Sequence, residues 1–248
     1  MQLTGNTILI TGGGSGIGRA LAEQFHAKGN QVIIAGRRQQ VLDEVTAANP
    51  GMRSAVLDIE DAAAIKAFAA QLVVDFPALN AVIHNAGIMR LENIQGGNLE
   101  DAEATITTNL LGPIRLNAAL LPTLMAQPRA AVLTVSSGLA FVPRATTPTY
   151  SATKAAIHSY TQSLRYQLRG SAVQVIELAP PYVQTELTGP QQASDPNAMP
   201  LEEYIAETMQ ILETQPEASE VLVGRVHAQR FAEATGNHDV MFNRINPA

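Results

Sequence analysis

The sequence predicts an α/β fold: one doubly wound parallel sheet with helices on both faces and a helical cap towards the C-terminus. Three observations carry this. Short, near-continuously apolar runs rich in Val, Ile and Leu recur along the chain, and segments of helical length separate them. The first apolar run passes directly into a glycine-rich turn that opens a helix. Strands covered on both faces lose the polar alternation of half-exposed strands, and parallel neighbours need a crossover of helical length.

In chain order, the expected strands are residues 7–11 (TILIT), 31–35 (QVIIA), 53–57, 79–84 (LNAVIH), 131–136 (AVLTVS) and 173–178 (VQVIEL). Residues 17–28, 39–48, 61–76, 100–125 and 150–169 are the expected helices between and after them. Residues 188–200 (TGPQQASDPNAMP) have no apolar period and read as a surface loop. Residues 201–214 and 217–234 read as two more helices. The stretch 188–234 is then either a cap over a ligand crevice or an ordinary surface connection.

Composition bounds the function. The chain has 248 residues, 46% of them hydrophobic and only 15% charged, with a mean hydropathy of +0.05. It can bury a large core, is not a disordered tail, and is expected to form a single domain over 1–248. Sixteen basic residues against twenty-two acidic ones give a net charge of −6, which argues against a bulk nucleic-acid binder. The absence of cysteine excludes disulfides, thiolate metal sites and a Cys nucleophile. The five histidines are scattered without metal-ligand spacing, so no metal is expected. No apolar run reaches the roughly 18–20 residues of a helical membrane span, and the N-terminus lacks a basic leader. The expectation is a cytoplasmic protein with no membrane or nucleic-acid partner.

The glycine-rich turn carries the first chemical signal. Gly12, Gly13, Gly14, Ser15, Gly16, Ile17 and Gly18 lie where a strand gives way to a helix. There a bare backbone lets a pyrophosphate approach the open N–H groups of the helix start. The second strand runs into Arg37 and Arg38, and no acidic residue occurs from 31 to 42. An acid at that point binds the ribose hydroxyls of NAD, whereas arginine accepts the 2′-phosphate of NADP. NADP is therefore favoured and NAD stays possible; the other reading of the two arginines is a solvated helix start.

Tyr150 and Lys154 are four residues apart on an expected helix and so share a face. A nearby ammonium should lower the phenol's pKa from about 10 and suit it to acid–base work. Ser137 follows the strand at 131–136, and strand C-termini line the crevice of such sheets. Its hydroxyl could bond a carbonyl oxygen as charge develops there. His158, four residues past Lys154, reads as a packing or subunit-surface residue.

Together these residues resemble the short-chain dehydrogenase/reductase family over about residues 4–190. The resemblance rests on T-G-G-G-S-G-I-G at 11–18, Asp58-Ile59, H-N-A-G at 84–87, Asn109, Ser136-Ser137 and Y-S-A-T-K at 150–154. The run at 137–143, with 155–160 and 179–181, is similar to a bacterial subgroup called DltE-like. The family implies a Rossmann fold of about seven strands and NAD(P)-dependent hydride transfer between the nicotinamide and a small carbonyl or alcohol substrate.

Carried over by position, the resemblance makes Tyr150 the acid/base, with Lys154 holding the nicotinamide ribose. Ser137 would orient the carbonyl, and Asn109 would hold a water that leads to Lys154. Asp58 and Ile59 would meet the adenine, and Asn85, Ala86 and Gly87 would form the cofactor wall. Pro180 and Thr185, in A-P-P-Y-V-Q-T at 179–185, would meet the carboxamide. Three departures stand out. His84 replaces a frequent Asn and reads as packing. Pro181 replaces a Gly. The usual late strand is missing, with helix expected at 217–234. The family also implies a homodimer or homotetramer through the helices at 106–125 and 150–169. A second reading is a dinucleotide-binding sensor or scaffold with little catalysis.

Overall fold

All six apolar runs become strands in the computed structural model, which describes residues 1–247. They are β1 (Thr7–Thr11), β2 (Gln31–Gly36), β3 (Arg53–Val56), β4 (Leu79–His84), β5 (Ala130–Val135) and β6 (Val173–Leu178). A seventh, β7 (Glu220–Val221), completes a parallel sheet of order β3-β2-β1-β4-β5-β6-β7. Successive side chains alternate between the faces of a strand, and the core divides accordingly. Ile8, Ile10, Val32 and Ile34 enter one cluster, while Leu9, Ile33, Val82 and Val132 enter the other.

Helices cover both clusters. On the first face α1 (Gly16–Ala27) contributes Leu21 and Phe25, and α2 (Gln39–Ala48) contributes Leu42 and Val45. On the second, α3 (Ala62–Asp75) contributes Ile65 and Leu72 behind Asp61, which caps the amides of Ala63 and Ala64. The expected helix at 100–125 is broken: α4 (Glu100–Ile106) passes through a π-helical turn, Thr107–Leu111, into α5 (Gly112–Ala126). One extra residue in the turn rotates Asn109 inwards, and such bulges mark functional sites more often than ordinary helix does. Then α6 (Pro148–Gln167) starts with proline in its first turn, where no amide hydrogen bond is lost.

The C-terminal third corrects the sequence reading. The loop at 188–200 contains a one-turn helix, α7 (Pro190–Ala193), and buries Ala198 and Met199, with Met199 bridged to Val183. Next, α8 (Leu201–Thr214) packs on α1 and covers the sheet with Tyr204, Ile205, Met209 and Leu212. Residues 217–234 are not one helix. Glu220 and Val221 pair with Glu177 and Leu178, because β6 offers an unpaired edge and Val221 and Val223 fit the apolar face beside it. Beyond them lie the 3-10 turn Gly224–Val226, α9 (His227–Arg230) and α10 (His238–Ile245), the last of which the sequence did not suggest. No described helix is long and apolar enough to cross a membrane.

The order of the strands fixes the place of the site. Chain direction across the sheet reverses between β1 and β4, and open α/β sheets bind ligands beyond the strand ends at that switch.

Candidate active site

A cleft of about 1000 Å³ opens at the C-terminal ends of β1, β4, β5 and β6. Gly12, Ser15, Gly16, Arg37 and Arg38 line one end of it, and Ser137, Tyr150 and Lys154 line the other. A side pocket of about 200 Å³ adjoins the first end, with Gly14, Val41, Leu57 and Ile59 in its wall.

The glycine turn is held by steric limits. Gly16 has φ +52°, a conformation that side chains rarely tolerate, and it faces Thr185 across the cleft. Gly18 lies behind the turn, where a Cβ would collide with the Gly12 carbonyl and the Asn85 amide. Asn85 is fixed there because its Nδ2 donates to the carbonyls of Thr11 (3.1 Å) and Gly12 (3.3 Å). The Thr11 hydroxyl in turn accepts from the amides of Asn85 and Ala86, both at 3.1 Å. These bonds stitch β1 to β4 at the crevice. Ser15 precedes α1 and makes no side-chain cap, so the first amides of the helix keep their donors for a ligand.

Arg37 and Arg38 both reach the cleft. Arg37 Nη1 lies 3.2 Å from Glu60 Oε1, with the arginine side chain 53% exposed. Such an exposed pair is worth little and leaves the guanidinium able to turn to another anion. Ile59 lines the side pocket, whereas Asp58 is exposed and accepts from the Glu60 amide at 3.0 Å.

At the other end, Lys154 is buried one turn along α6 from Tyr150, its Nζ 5.5 Å from the phenol ring centre. That Nζ donates to the Val135 carbonyl at 2.8 Å, which ties α6 to the end of β5. Ser136 and Ser137 follow Val135 directly, so one bond brings all three chemical groups into register. Ser137 Oγ accepts from the Leu139 amide at 3.1 Å, and Ser137 lines the cleft with Tyr150. Asn109 is clamped to Ile88, accepting from its amide and donating to its carbonyl, both at 2.9 Å, and it also donates to Thr153. Gly87 leaves room for the Asn109 and Lys154 side chains.

Burial corrects one sequence expectation. The Tyr150 phenol is pushed up to about 12, not down, because desolvation of the phenolate outweighs the Ser137 hydrogen bond. The same burial pushes the Lys154 ammonium down to about 8. The pair is therefore a protonated phenol beside an ammonium that is easily neutralised.

Pro180 and Thr185 also line the cleft. The loop that carries them is braced by the buried Gln192 amide, which donates to the Val183 carbonyl (2.8 Å) and to Thr185 Oγ1 (3.0 Å). His84 is buried as expected for packing, with Nε2 2.7 Å from Asn117 Oδ1 and Nδ1 unpartnered among the described residues. Burial pushes it down to about 4.

Sequence reasoning missed several parts. Glu177, fully buried on β6, accepts from Ser136 Oγ at 2.5 Å and lies 2.7 Å from His158 Nδ1. A glutamate inside an apolar strand was the available signal. Glu220 lies close enough for its carboxylate to share a cation with Glu177 and His158, and the Arg230 guanidinium supplies one with bonds of 2.9 and 3.0 Å to Glu220. Arg225, Gln229 and Arg244, from the segments after β7, also line the cleft, Gln229 against Gly138. No local motif announces them.

A seven-stranded parallel sheet with a glycine turn at its switch point defines a Rossmann-type dinucleotide-binding fold. Residues 6–196 match the short chain dehydrogenase family, and the chain belongs to that family of oxidoreductases. It is 37% identical over 254 residues to the uncharacterized oxidoreductase DltE of Bacillus subtilis, an alignment that covers 99% of this chain and 98% of that protein. A short-chain dehydrogenase from Sphingobium yanoikuyae in complex with NADPH is 25% identical with a TM-score of 0.82, covering 98% of this chain and 97% of that one. A Burkholderia phymatum short chain dehydrogenase/reductase in complex with NAD has a TM-score of 0.83 with 100% and 98% covered; at 20% identity that likeness is one of fold.

Proposed function

We propose that the protein is an NADP-preferring oxidoreductase that interconverts a small carbonyl compound and its alcohol. The observation that carries this is one cleft with the glycine turn, Arg37 and Arg38 at one end and Ser137, Tyr150 and Lys154 at the other. The donor set suits a dinucleotide. The amides of Gly12 and Gly13 bond the Ala35 carbonyl, so the helix start at Gly16–Gly18 is the part left to meet a phosphate; Asn85, Ala86, Gly87, Pro180 and Thr185 form walls, and Ile59 offers an apolar surface. Arg37, in place of an acid beyond β2, supports NADP over NAD.

A bound nicotinamide supplies or accepts the hydride. The chain's own residues do the rest. In reduction, Tyr150 releases its phenolic proton to the carbonyl oxygen while Ser137 donates a hydrogen bond to that oxygen. A phenol held near 12 is fully protonated at neutral pH, which favours the reducing direction. The Lys154 ammonium lowers the cost of the phenolate left behind, and its bond to Val135 keeps it in place. Asn109, fixed by Ile88, would hold a water through which protons reach Lys154 from solvent.

The test is a pair of assays on the wild type and on Tyr150→Phe and Ser137→Ala. Nucleotide binding is followed by NADPH fluorescence, and turnover over a panel of aldehydes and ketones. The expected result is unchanged binding with turnover lost. Binding in the wild type with no turnover of any compound would favour a dinucleotide sensor.

A further inference from the structure

We propose that the arginines lining the cleft beyond Ser137 and Tyr150 form an anion subsite, so that the substrate carries a carboxylate or phosphate at the end remote from its reacting carbon. This deepens the oxidoreductase reading and rests on it for the reaction, though not for the binding.

Charge is distributed unevenly in this molecule. The chain is net acidic at −6, yet six of its thirteen arginines, with Lys154, line the cleft, and Glu186 is the sole acidic residue among the lining residues. Two of the six, Arg37 and Arg38, belong to the nucleotide end. The rest lie on the segments that build the other end. Arg90 follows β4, Arg144 lies between Ser137 and α6, Arg225 follows β7, and Arg244 is on α10. Four segments far apart in sequence each contribute an arginine to the lining of one cleft.

Their present partners do not explain this. Among the described residues neither Arg144 nor Arg244 pairs with a carboxylate, and Arg90 makes only a loose exposed contact with Asp101 at 3.8 Å. Arg225 donates to the Asn197 carbonyl at 2.6 Å, which orients it without neutralising it. The nearby carboxylate of Asp195 is already engaged by the Asn197 amide (2.8 Å), by Asn197 Nδ2 and by the Tyr182 hydroxyl (3.1 Å). Among the described residues the cleft lining holds far more cationic than anionic side chains, and an anionic ligand suits such a surface. Guanidinium forks suit carboxylate and phosphate oxygens in particular.

The surroundings narrow the ligand further. Met89, Leu139, Tyr182 and Ile245 line the same cleft, Met89 and Ile245 as chain neighbours of Arg90 and Arg244. An apolar wall with charge at the rim fits a short hydrocarbon body whose reacting carbon meets Ser137 and Tyr150 and whose anionic end meets the arginines. Asn246 holds the wall in place, because its Oδ1 accepts from the Ala145 amide (2.6 Å) and its Nδ2 donates to the Pro143 carbonyl (3.0 Å). The tail is thereby fastened to the loop that carries Arg144.

The test is calorimetric titration of the NADPH-saturated protein with three non-reacting probes: malonate, methylphosphonate and the neutral malonamide. Saturation with nucleotide blocks the phosphate-binding turn. At least one anion should bind tenfold or more tightly than malonamide, and which one does so distinguishes carboxylate from phosphate. Arg144→Gln combined with Arg225→Gln should abolish that preference while NADPH still binds, which also reports that the variant is folded. Equal binding of malonamide and both anions, or an anion preference that survives in the double variant, would overturn the proposal. Anion binding in a protein that reduces no carbonyl would support the subsite and count only against the oxidoreductase reading.

Discussion

The two ends of the cleft are built differently. The end proposed to hold the nucleotide is mostly one short stretch of chain, residues 11–18, locked to β4 by Asn85 and Thr11. Its demands are steric: Gly18 has no space for a methyl group, and Gly16 has a backbone that suits no other residue well. The end proposed to hold the substrate is assembled from the 137–144 loop, the loop after β6, and the segments after β7. Its demands are electrostatic, set by burial at Tyr150 and Lys154 and by arginines at the rim. Changes at the first end should therefore cost folding and nucleotide affinity, whereas changes at the second should cost turnover and selectivity.

The largest expected effect is at the proposed substrate end. Tyr150→Phe removes one hydroxyl and keeps the ring, so melting temperature and NADPH affinity should hold while turnover falls by about 10²–10⁴-fold. A matching fall in NADPH affinity would erase the distinction between the two ends.

Next comes an acid sensitivity seated beside the nucleotide wall. Burial holds His84 near 4 in the folded chain against about 6.5 when unfolded. The unfolded chain thus binds the extra proton between these values. Stability from this group is fully present above about pH 6.5 and is lost as pH falls towards 4, by roughly 3 kcal/mol in all. His84→Asn should flatten that part of the curve in urea unfolding experiments, and an unchanged slope would show that His84 is not its source.

Gly18→Ala should cost about 1–3 kcal/mol, because the obstacle is the Gly12 backbone and not a flexible side chain. It should weaken NADPH binding as well, in contrast to Tyr150→Phe. The smallest effect is expected at Arg37. Its contact with Glu60 is exposed, so Arg37→Ala should leave stability within about 0.5 kcal/mol. The preference for NADPH over NADH should fall about tenfold, the value of one charge-assisted hydrogen bond. A variant with the wild-type preference would remove the argument for NADP.

The pH profile separates the roles of Tyr150 and Lys154. Carbonyl reduction should hold from neutral pH to about 8 and decline above it, as Lys154 loses its proton. Alcohol oxidation needs the phenol as a base and should gain as pH rises towards the phenol's raised value.

The same contrast explains what could be read from the sequence. The strands of the central sheet were legible because a strand covered on both faces must be almost wholly apolar. The glycine turn was legible because close approach restricts residue type over a few neighbouring positions. Tyr150 and Lys154 were legible because helix geometry relates residues four apart. Contacts across long sequence distances left no such trace. Glu220 and Val221 look helical until the open edge of β6 is known, and the inward turn at Asn109 depends on an extra residue that no period reveals. Arg225 and Arg244 look like surface charges until the fold brings them to the cleft. The direction of the Tyr150 shift is hidden from the sequence for a related reason. Spacing reveals the neighbouring cation but not the burial that outweighs it.

The central claim is that hydride moves at the Ser137–Tyr150–Lys154 end of a cleft whose other end holds the nucleotide. Its most direct test is isotope transfer from NADPH deuterated at the nicotinamide C4 to a carbonyl panel, read by mass spectrometry of the products. The account predicts alcohol products with one deuterium on the former carbonyl carbon, formed by the wild type and lost in Tyr150→Phe. Unlabelled alcohol, or labelled alcohol formed at the wild-type rate by Tyr150→Phe, would contradict it.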